Sequence, residues 1–408
     1  MFEELLVKLD KAQWQSKAEI NKTQLTALDR LVKHHLDNNP WYRNLNTDDN
    51  PLPIITKHDI QTADISFFTG PGEIVKTSGS TGQPLEVRSD NVSAMINSAY
   101  ALRNLLWNFN EPNLRSSIIK PIVTKYQEYP KWGYPYELII KTGALQGIPI
   151  LTDIAEQNNI LIKFQPNILL LFPNNLLALC ELWRETGMPL KHLRYIRTMG
   201  ETCTDTVRKL VLEVTGLKVI DSYSSQELGT IALSCPVTGL YHTMDENLIV
   251  EVLDENNNPC KEGQEGRVVV TELHNRASPL IRYAIGDYAI RGPKCSCGRG
   301  LSTLSKILGR YRNLLIHPDG SRHWPMIGFY DFADIAKVRR YQMIQHDIYN
   351  IEICIATDDK LTEEQKNKFI EVGQRYTGAE FKIKLTHYIG DIPFNRNGKF
   401  EEFISYVK

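Results

Sequence analysis

Near the start of the chain, Leu25, Leu28, Val32 and Leu36 fall three or four residues apart. That is the period of one helix face, and "NNPWY" (38–42) supplies the stop signal. Beyond Ser78 the texture alternates. "RSSIIKPIV" reads as a strand, and "ILLLF" as a short apolar run followed by a helix. "LRYIRTM" is a strand, "TDTVRKLVLEVTG" a helix closed by Gly216, and "KVIDSY" a strand. Short strands alternating with helices predict an α/β sheet with crossover helices. Ligands of such sheets bind beyond the carboxyl ends of strands. The loops at 76–84, 199–203 and 221–229 are therefore candidates for one shared site.

From Asn247 the pattern changes. "NLIVEVLDENNNPCKEGQEGRVVVTEL" holds two strand patterns around an acidic, glycine-containing turn, which predicts an antiparallel subdomain. Beyond Arg310, strands ("YNIEICIA", "FKIKLTHY") surround a helix ("TEEQKNKFIEVGQRY"). The fold class is thus α/β. A large N-terminal domain spans 1–309, with a strand-rich subdomain at about 235–305, and a small mobile α+β domain spans 310–408.

Composition narrows the function. Lys plus Arg is 47 and Asp plus Glu is 48, a net charge of −1. Nothing there calls for nucleic acid or an anionic membrane. The start, "MFEELLVKLDKAQW", carries charge among its apolar residues and does not read as a signal peptide. The longest apolar run is broken by Pro173 and two asparagines, which reads as strand, turn and helix rather than a span. A cytoplasmic protein is expected, with its seven cysteines as free thiols or metal ligands.

The most polar loop is "KTSGSTGQPLEV" (76–87). Gly79 and Gly82 permit backbone that turns N–H groups toward an anion. Thr77, Ser78, Ser80 and Thr81 add hydroxyls. The Lys-Ser/Thr ending of a Walker loop is missing. Taken alone, the stretch reads as a phosphate loop or as a solvated turn.

"TSGSTGQP" resembles the phosphate-binding loop of the adenylate-forming superfamily, which includes acyl-CoA synthetases and adenylation domains. Further matches follow in order: "YSSQELG" (223–229), "YAIGD" (283–287), "LGRYRNLL" (308–315) and "NRNGKF" (395–400). "NRASPLIRYAIGDYAIRGPKCSCGRG" and "NNPWYRNL" are similar to the phenylacetate–CoA ligase branch. The resemblance covers essentially the whole chain. It implies ATP as substrate, bound by Thr77, Ser78, Gly79, Ser80, Thr81 and Gly82. Gly200, Glu201, Asp221, Ser222, Tyr223 and Ser224 would surround adenine and lead into the acid pocket. Asp287 and Arg310 would hold the ribose, and Glu227 a Mg²⁺ ion. Lys399 would be the catalytic lysine of adenylation. Gln226 stands where the family has Thr or Ser, which changes the reach toward phosphate. The aromatic run Tyr126, Tyr129, Trp132, Tyr134 and Tyr136 could line an aryl pocket or simply pack.

Cys235 and His242 form a C-x6-H pair, and Cys295 and Cys297 a C-x-C pair. Three thiolates and an imidazole suit closed tetrahedral Zn²⁺, although the spacing is not that of a zinc finger. Some relatives in the resembled branch carry this set, which implies a structural zinc. Cys180, Cys203, Cys260 and Cys354 read as isolated residues, and His34 and His35 as solvated helix positions.

The implied reaction is activation of a carboxylic acid as acyl-AMP, then transfer to a nucleophile. CoA is the leading acceptor, with an amine or a carrier-protein thiol as alternatives. A nucleotide-binding protein without ligase activity is the non-enzyme alternative, and a homodimer is allowed for. The hinge-following stretch "IHPDGSRHWPMIGFYDFADI" departs from the CoA ligases, and "VRRYQMIQHD" looks more like relatives from capsule or specialised-metabolite synthesis.

Overall fold

A computed structural model of the chain describes residues 2–45, 52–76, 85–109, 111–310, 315–320, 322–323, 332, 334–377, 381–393 and 403–407. Two compact units emerge. The first comprises 1–114, 130–144 and 220–308; the second comprises 115–129, 145–219 and 309–408.

The first unit opens with helices α1 (Phe2–Ala12), α2 (Lys17–Asn38), α3 (Pro40–Arg43) and α4 (Lys57–Thr62). Ser16 and Glu19 form a reciprocal capping box at the start of α2. Asn39 accepts from the Tyr42 N–H and so starts α3. The buried face of α2 is Ile20, Gln24, Leu31 and His35, so the predicted stripe is rotated and Leu25 is exposed. Gln24 belongs to that face because its amide donates to the carbonyls of Asp245 and Leu248.

His35 is a correction: it is fully buried rather than solvated. Burial, and then neighbouring His34, pull it down to about 4. Unfolded His35 gains its proton near 6.5, so its contribution is complete above that pH and is lost as pH falls toward 4. The shift corresponds to about 3 kcal/mol. Thermal melts at pH 7.5 and pH 4.5 should therefore show a smaller acid loss for His35→Gln than for wild type.

The unit continues through the hairpin β1 (Glu73–Lys76) and β2 (Glu86–Ser89) to α5 (Asn91–Asn108), capped by Asp90. Its sheet strands are β8 (Val219–Ser225), β9 (Gly229–Ser234), β10 (Tyr241–Thr243), β11 (Leu248–Leu253), β12 (Glu265–Glu272), β13 (Tyr283–Arg291) and β14 (Thr303–Arg310). They lie in the order β11-β12-β13-β14-β10-β9-β8. Antiparallel pairing already begins at β8–β9, earlier than the change of texture predicts.

The second unit holds β3 (Ser116–Lys120), β4 (Gln127–Tyr129), β5 (Leu145–Pro149), β6 (Ile168–Leu171) and β7 (Tyr195–Met199) in the order β7-β6-β3-β5-β4. All but β4 run parallel. Helix α6 (Ile154–Phe164) connects β5 to β6, α7 (Pro173–Thr186) connects β6 to β7, and α8 (Asp205–Thr215) leads from β7 on to β8. Pro173 opens α7 directly after Phe172, so no separate turn follows the apolar run. Pro suits the first helical position, where its missing N–H costs nothing. Leu169, Leu171, Ile119 and Ile196 form the core with these helices.

The C-terminal segment forms its own sheet, as the α/β-plus-α+β reading predicts. A small hairpin, β15 (Leu315–Ile316) and β16 (Arg322–His323), precedes it. The sheet holds β17 (Val338–Gln345), β18 (Asn350–Thr357), β19 (Lys382–Ile389) and β20 (Phe403–Ser405), in the order β19-β18-β17-β20. Helix α9 (Glu363–Thr377) packs on it through Phe369 and Val372. Among the described residues no helix is long and apolar enough to cross a membrane.

Candidate active site and cysteine–histidine cluster

Strand alternation sorts the motif residues of β8. Asp221 and Tyr223 face inward, while Ser222 faces the other way and accepts from the Asn104 amide at 2.7 Å. The Tyr241 hydroxyl donates to Asp221 at 2.5 Å. The Tyr223 hydroxyl donates to Asp287 at 2.8 Å. Two motifs separated by 64 residues thus meet through one phenol–carboxylate bond. Asp287 lies within β13 rather than at its end, directly after Gly286, whose φ is +88°.

Tyr223 and Ser224 belong to strand β8, not to a loop, and residues 226–228 form the tight turn into β9. No helix follows Glu227, so it caps none. It sits half-buried in a turn fixed from both sides. The Leu228 N–H donates to Ser225 Oγ at 3.1 Å, and the Thr230 N–H donates to Asn97. Gly229 has φ +67° and lies against the Asn97 side chain, where a β-carbon would come within 2.1 Å. Gly229→Ala is expected to cost about 2–3 kcal/mol and to displace Glu227; a denaturant midpoint measures it.

In the second unit Gly200 follows β7 with φ +81°. Glu201 accepts from the N–H and the side-chain amide of Asn174, at 3.2 and 3.0 Å. Its carboxylate therefore sits at the N-terminus of α7, where the helix dipole favours negative charge. Residues Thr77–Gly82 and Lys399 lie outside the described residues, as does the side chain of Arg310, whose backbone ends β14. Tyr126, Tyr129 and Tyr134 are 45%, 47% and 67% exposed.

Sequence pairs Cys235 with His242 and Cys295 with Cys297; the sheet brings the pairs together. Cys235 closes β9, and the return through Gly239 (φ +78°) places His242 on β10 opposite Leu233. Strand β14 pairs with β10, His242 opposite Thr303, so the loop carrying Cys295 and Cys297 arrives beside it. The four ligand atoms lie within 4.8 Å of one another. Cys235 and Cys295 Sγ are 3.7 Å apart, and His242 Nε2 is 3.2 Å from Cys297 Sγ. Two thiolates on a tetrahedral zinc, each about 2.3 Å from the ion, stand about 3.8 Å apart; a disulfide requires about 2.05 Å. Burial, then nearby Arg299, hold His242 down to about 4, so the ring is neutral, the form that binds metal.

The same loop grips the N-terminal helices, a contact between segments 286 residues apart that no local pattern announces. Gly300 N–H donates to the Gln13 carbonyl at 2.9 Å. Arg299 donates to Gln13 Oε1 at 2.8 Å and lies over the rings of Trp107 and Trp14. Lys17 pairs with Asp245 at 2.7 Å, and Asp245 also accepts from the Ser302 N–H. A β-carbon on Gly300 would lie 1.8 Å from the Gln15 carbonyl oxygen. Gly300→Ala is therefore expected to pry the α1–α2 turn from the loop, at about 2–3 kcal/mol. Faster proteolysis within residues 10–20 is the readout.

Comparison with known proteins finds a family profile over the C-terminal segment and relatives over most of the chain. The profile described as CapK C-terminal domain matches residues 330–406. Phenylacetate-coenzyme A ligase of Thermus thermophilus is 25% identical over 328 residues, covering 73% of this chain and 72% of that protein. The Escherichia coli K12 protein of the same name is 25% identical over 346 residues, covering 76% and 75%. The crystal structure of 2-hydroxyisobutyryl-CoA ligase, in the postadenylation state with 2-HIB-AMP, superposes with a TM-score of 0.76 at 16% identity, covering 96% of this chain and 90% of that one. The fold is that of the adenylate-forming CoA ligases. Within that class, the sequence matches bear out the resemblance to the phenylacetate–CoA ligase branch.

Proposed function

We propose that this protein is an ATP-dependent, AMP-forming ligase that activates a carboxylic acid and passes the acyl group to the thiol of CoA. The observation that carries the reading is the Tyr223–Asp287 bond, which brings two of the motifs together and supports a shared nucleotide site. The acid's carboxylate oxygen attacks the α-phosphorus of ATP, and the bond to the departing pyrophosphate breaks. The thiol sulfur then attacks the acyl carbonyl, loses its proton, and AMP leaves. Asp287 accepts from the ribose hydroxyls while Tyr223 fixes its orientation. Asp221, Ser222, Ser224, Gly200 and Glu201 border the nucleotide and acid. Thr77, Ser78, Gly79, Ser80, Thr81 and Gly82 donate to the phosphates, with Gln226 nearby. Arg310 joins the ribose, and Lys399 offsets charge that develops at phosphorus. Glu227 would hold Mg²⁺ with phosphate oxygens; when bound, the ion neutralises phosphate charge. The domain boundary near 309/310 would permit reorientation between steps.

Cys235, His242, Cys295 and Cys297 would hold a structural zinc. With four protein ligands no position is left open for substrate. Held by these four residues, the ion would keep the Cys295–Ser302 loop in the shape that clamps Gln13 and Lys17.

An amine or carrier-protein thiol as acceptor is the second reading. It is favoured by the departure at 316–335 and by the CapK C-terminal domain match over 330–406. Supplying CoA, then amines, to the enzyme with its activated acid decides between them: acyl-CoA formation supports the first reading, and amide formation with no thioester supports the second.

A further inference from the structure

The parallel sheet of the second unit has two unlike faces. Ile119, Leu171 and Ile196 point into the core with α6–α8. The register aligns Ile118 with Leu170 and Leu170 with Arg197, so Ile118, Lys120, Leu170, Arg197 and Met199 share the opposite face. Lys120 ends β3, at the carboxyl edge of the sheet, where ligands of parallel sheets bind. Gly200 and Glu201 begin at that same edge of β7.

Arg197 is level with Ile118, so the backbones of Lys120 and Arg197 lie two strand spacings of about 4.8 Å apart sideways and two residues, about 6.6 Å, apart along the strands, within reach of two long side chains. Their charges feel each other: burial first, then Arg197, push Lys120 down to about 8. Among the described residues no hydrogen bond or ion pair engages the Lys120 ammonium. A half-buried ammonium beside a guanidinium favours a bound anion. The phosphates and reacting carboxylate of ATP-dependent activation are already assigned to the 77–82 loop and to Lys399.

We propose that Lys120, flanked by Arg197, is the specificity-determining cation for an acid bearing a second carboxylate, so that the acid activated is a dicarboxylic acid. This rests on the ligase reading above. Lys120 binds the distal carboxylate and leaves the proximal one to react.

Two measurements separate this proposal from the reading beneath it. The first needs no turnover. With α,β-methylene-ATP present, Lys120 is labelled with pyridoxal 5′-phosphate and borohydride and mapped by mass spectrometry. Four- to six-carbon dicarboxylates should protect it, and monocarboxylates of equal length should not. The second is ATP–pyrophosphate exchange with the same acids. The ratio of kcat/KM for dicarboxylate over monocarboxylate should fall roughly 100-fold in Lys120→Met, with partial recovery in Lys120→Arg. Equal protection by both acid classes, or an unchanged ratio in Lys120→Met, overturns the proposal and leaves the ligase reading intact. Selective protection without exchange on any acid supports the anion site and counts against the ligase.

Discussion

Asp287→Ala is expected to lower kcat/KM for ATP in pyrophosphate exchange by roughly 100- to 1,000-fold. An ionised carboxylate that accepts from two ribose hydroxyls makes two charge-assisted bonds, each about 1.5–3 kcal/mol, and about 1.4 kcal/mol is tenfold. The loss should fall on ATP rather than on the acid, because the ribose is the group left unpaired. Tyr223→Phe removes only the phenol that orients Asp287 from 2.8 Å, so roughly five- to tenfold is expected. Tyr223 is buried, but the Phe ring retains its packing, and melting temperature should barely move. Equal KM for ATP in wild type and Asp287→Ala would remove Asp287 from the nucleotide site.

The second large effect concerns the cluster. Cys297→Ser is expected to take zinc from about one per chain to near zero. One thiolate donor is replaced by a weak neutral oxygen, while Cys235 and Cys295 remain with His242 at the same place. The energetic effect reaches beyond the loop. Gly300 and Arg299 hold Gln13, and Ser302 and Lys17 converge on Asp245. A loss on the order of 4 kcal/mol corresponds to a melting temperature roughly 10 °C lower, with early cleavage within residues 10–20. Protein purified without added zinc that holds no metal, yet resists protease at this segment, would show that packing alone shapes the loop.

How much of this was legible in sequence depends on what each residue answers to. Parallel strands β3, β6 and β7 and helix α8 were readable because short apolar runs and the Gly216 stop are local signals; β5, with its Gln-Gly centre, gave no such run. The cysteine pairs were readable because metal ligands come as residue types at short spacing. The partners were not. Tyr241 beneath Asp221, Asn97 against Gly229 and Gln13 inside the cysteine loop depend on strand order and helix docking. The helical stripe of α2 was misplaced by one position for the same reason. Gln24 and His35 are polar, yet tertiary partners draw them inward, and Leu25 is left outside. The sharp reversal that carries Glu227 from β8 into β9 likewise depends on strand pairing rather than on a local signal.

The central claim is adenylation, and carboxylate-dependent ATP–pyrophosphate exchange tests it most directly. Aryl, fatty, amino and dicarboxylic acids are offered singly to the purified protein. The account predicts exchange that depends on an added acid, is confined to one acid class and is lost in Lys399→Ala. No exchange with any acid, from protein that binds ATP, would contradict it.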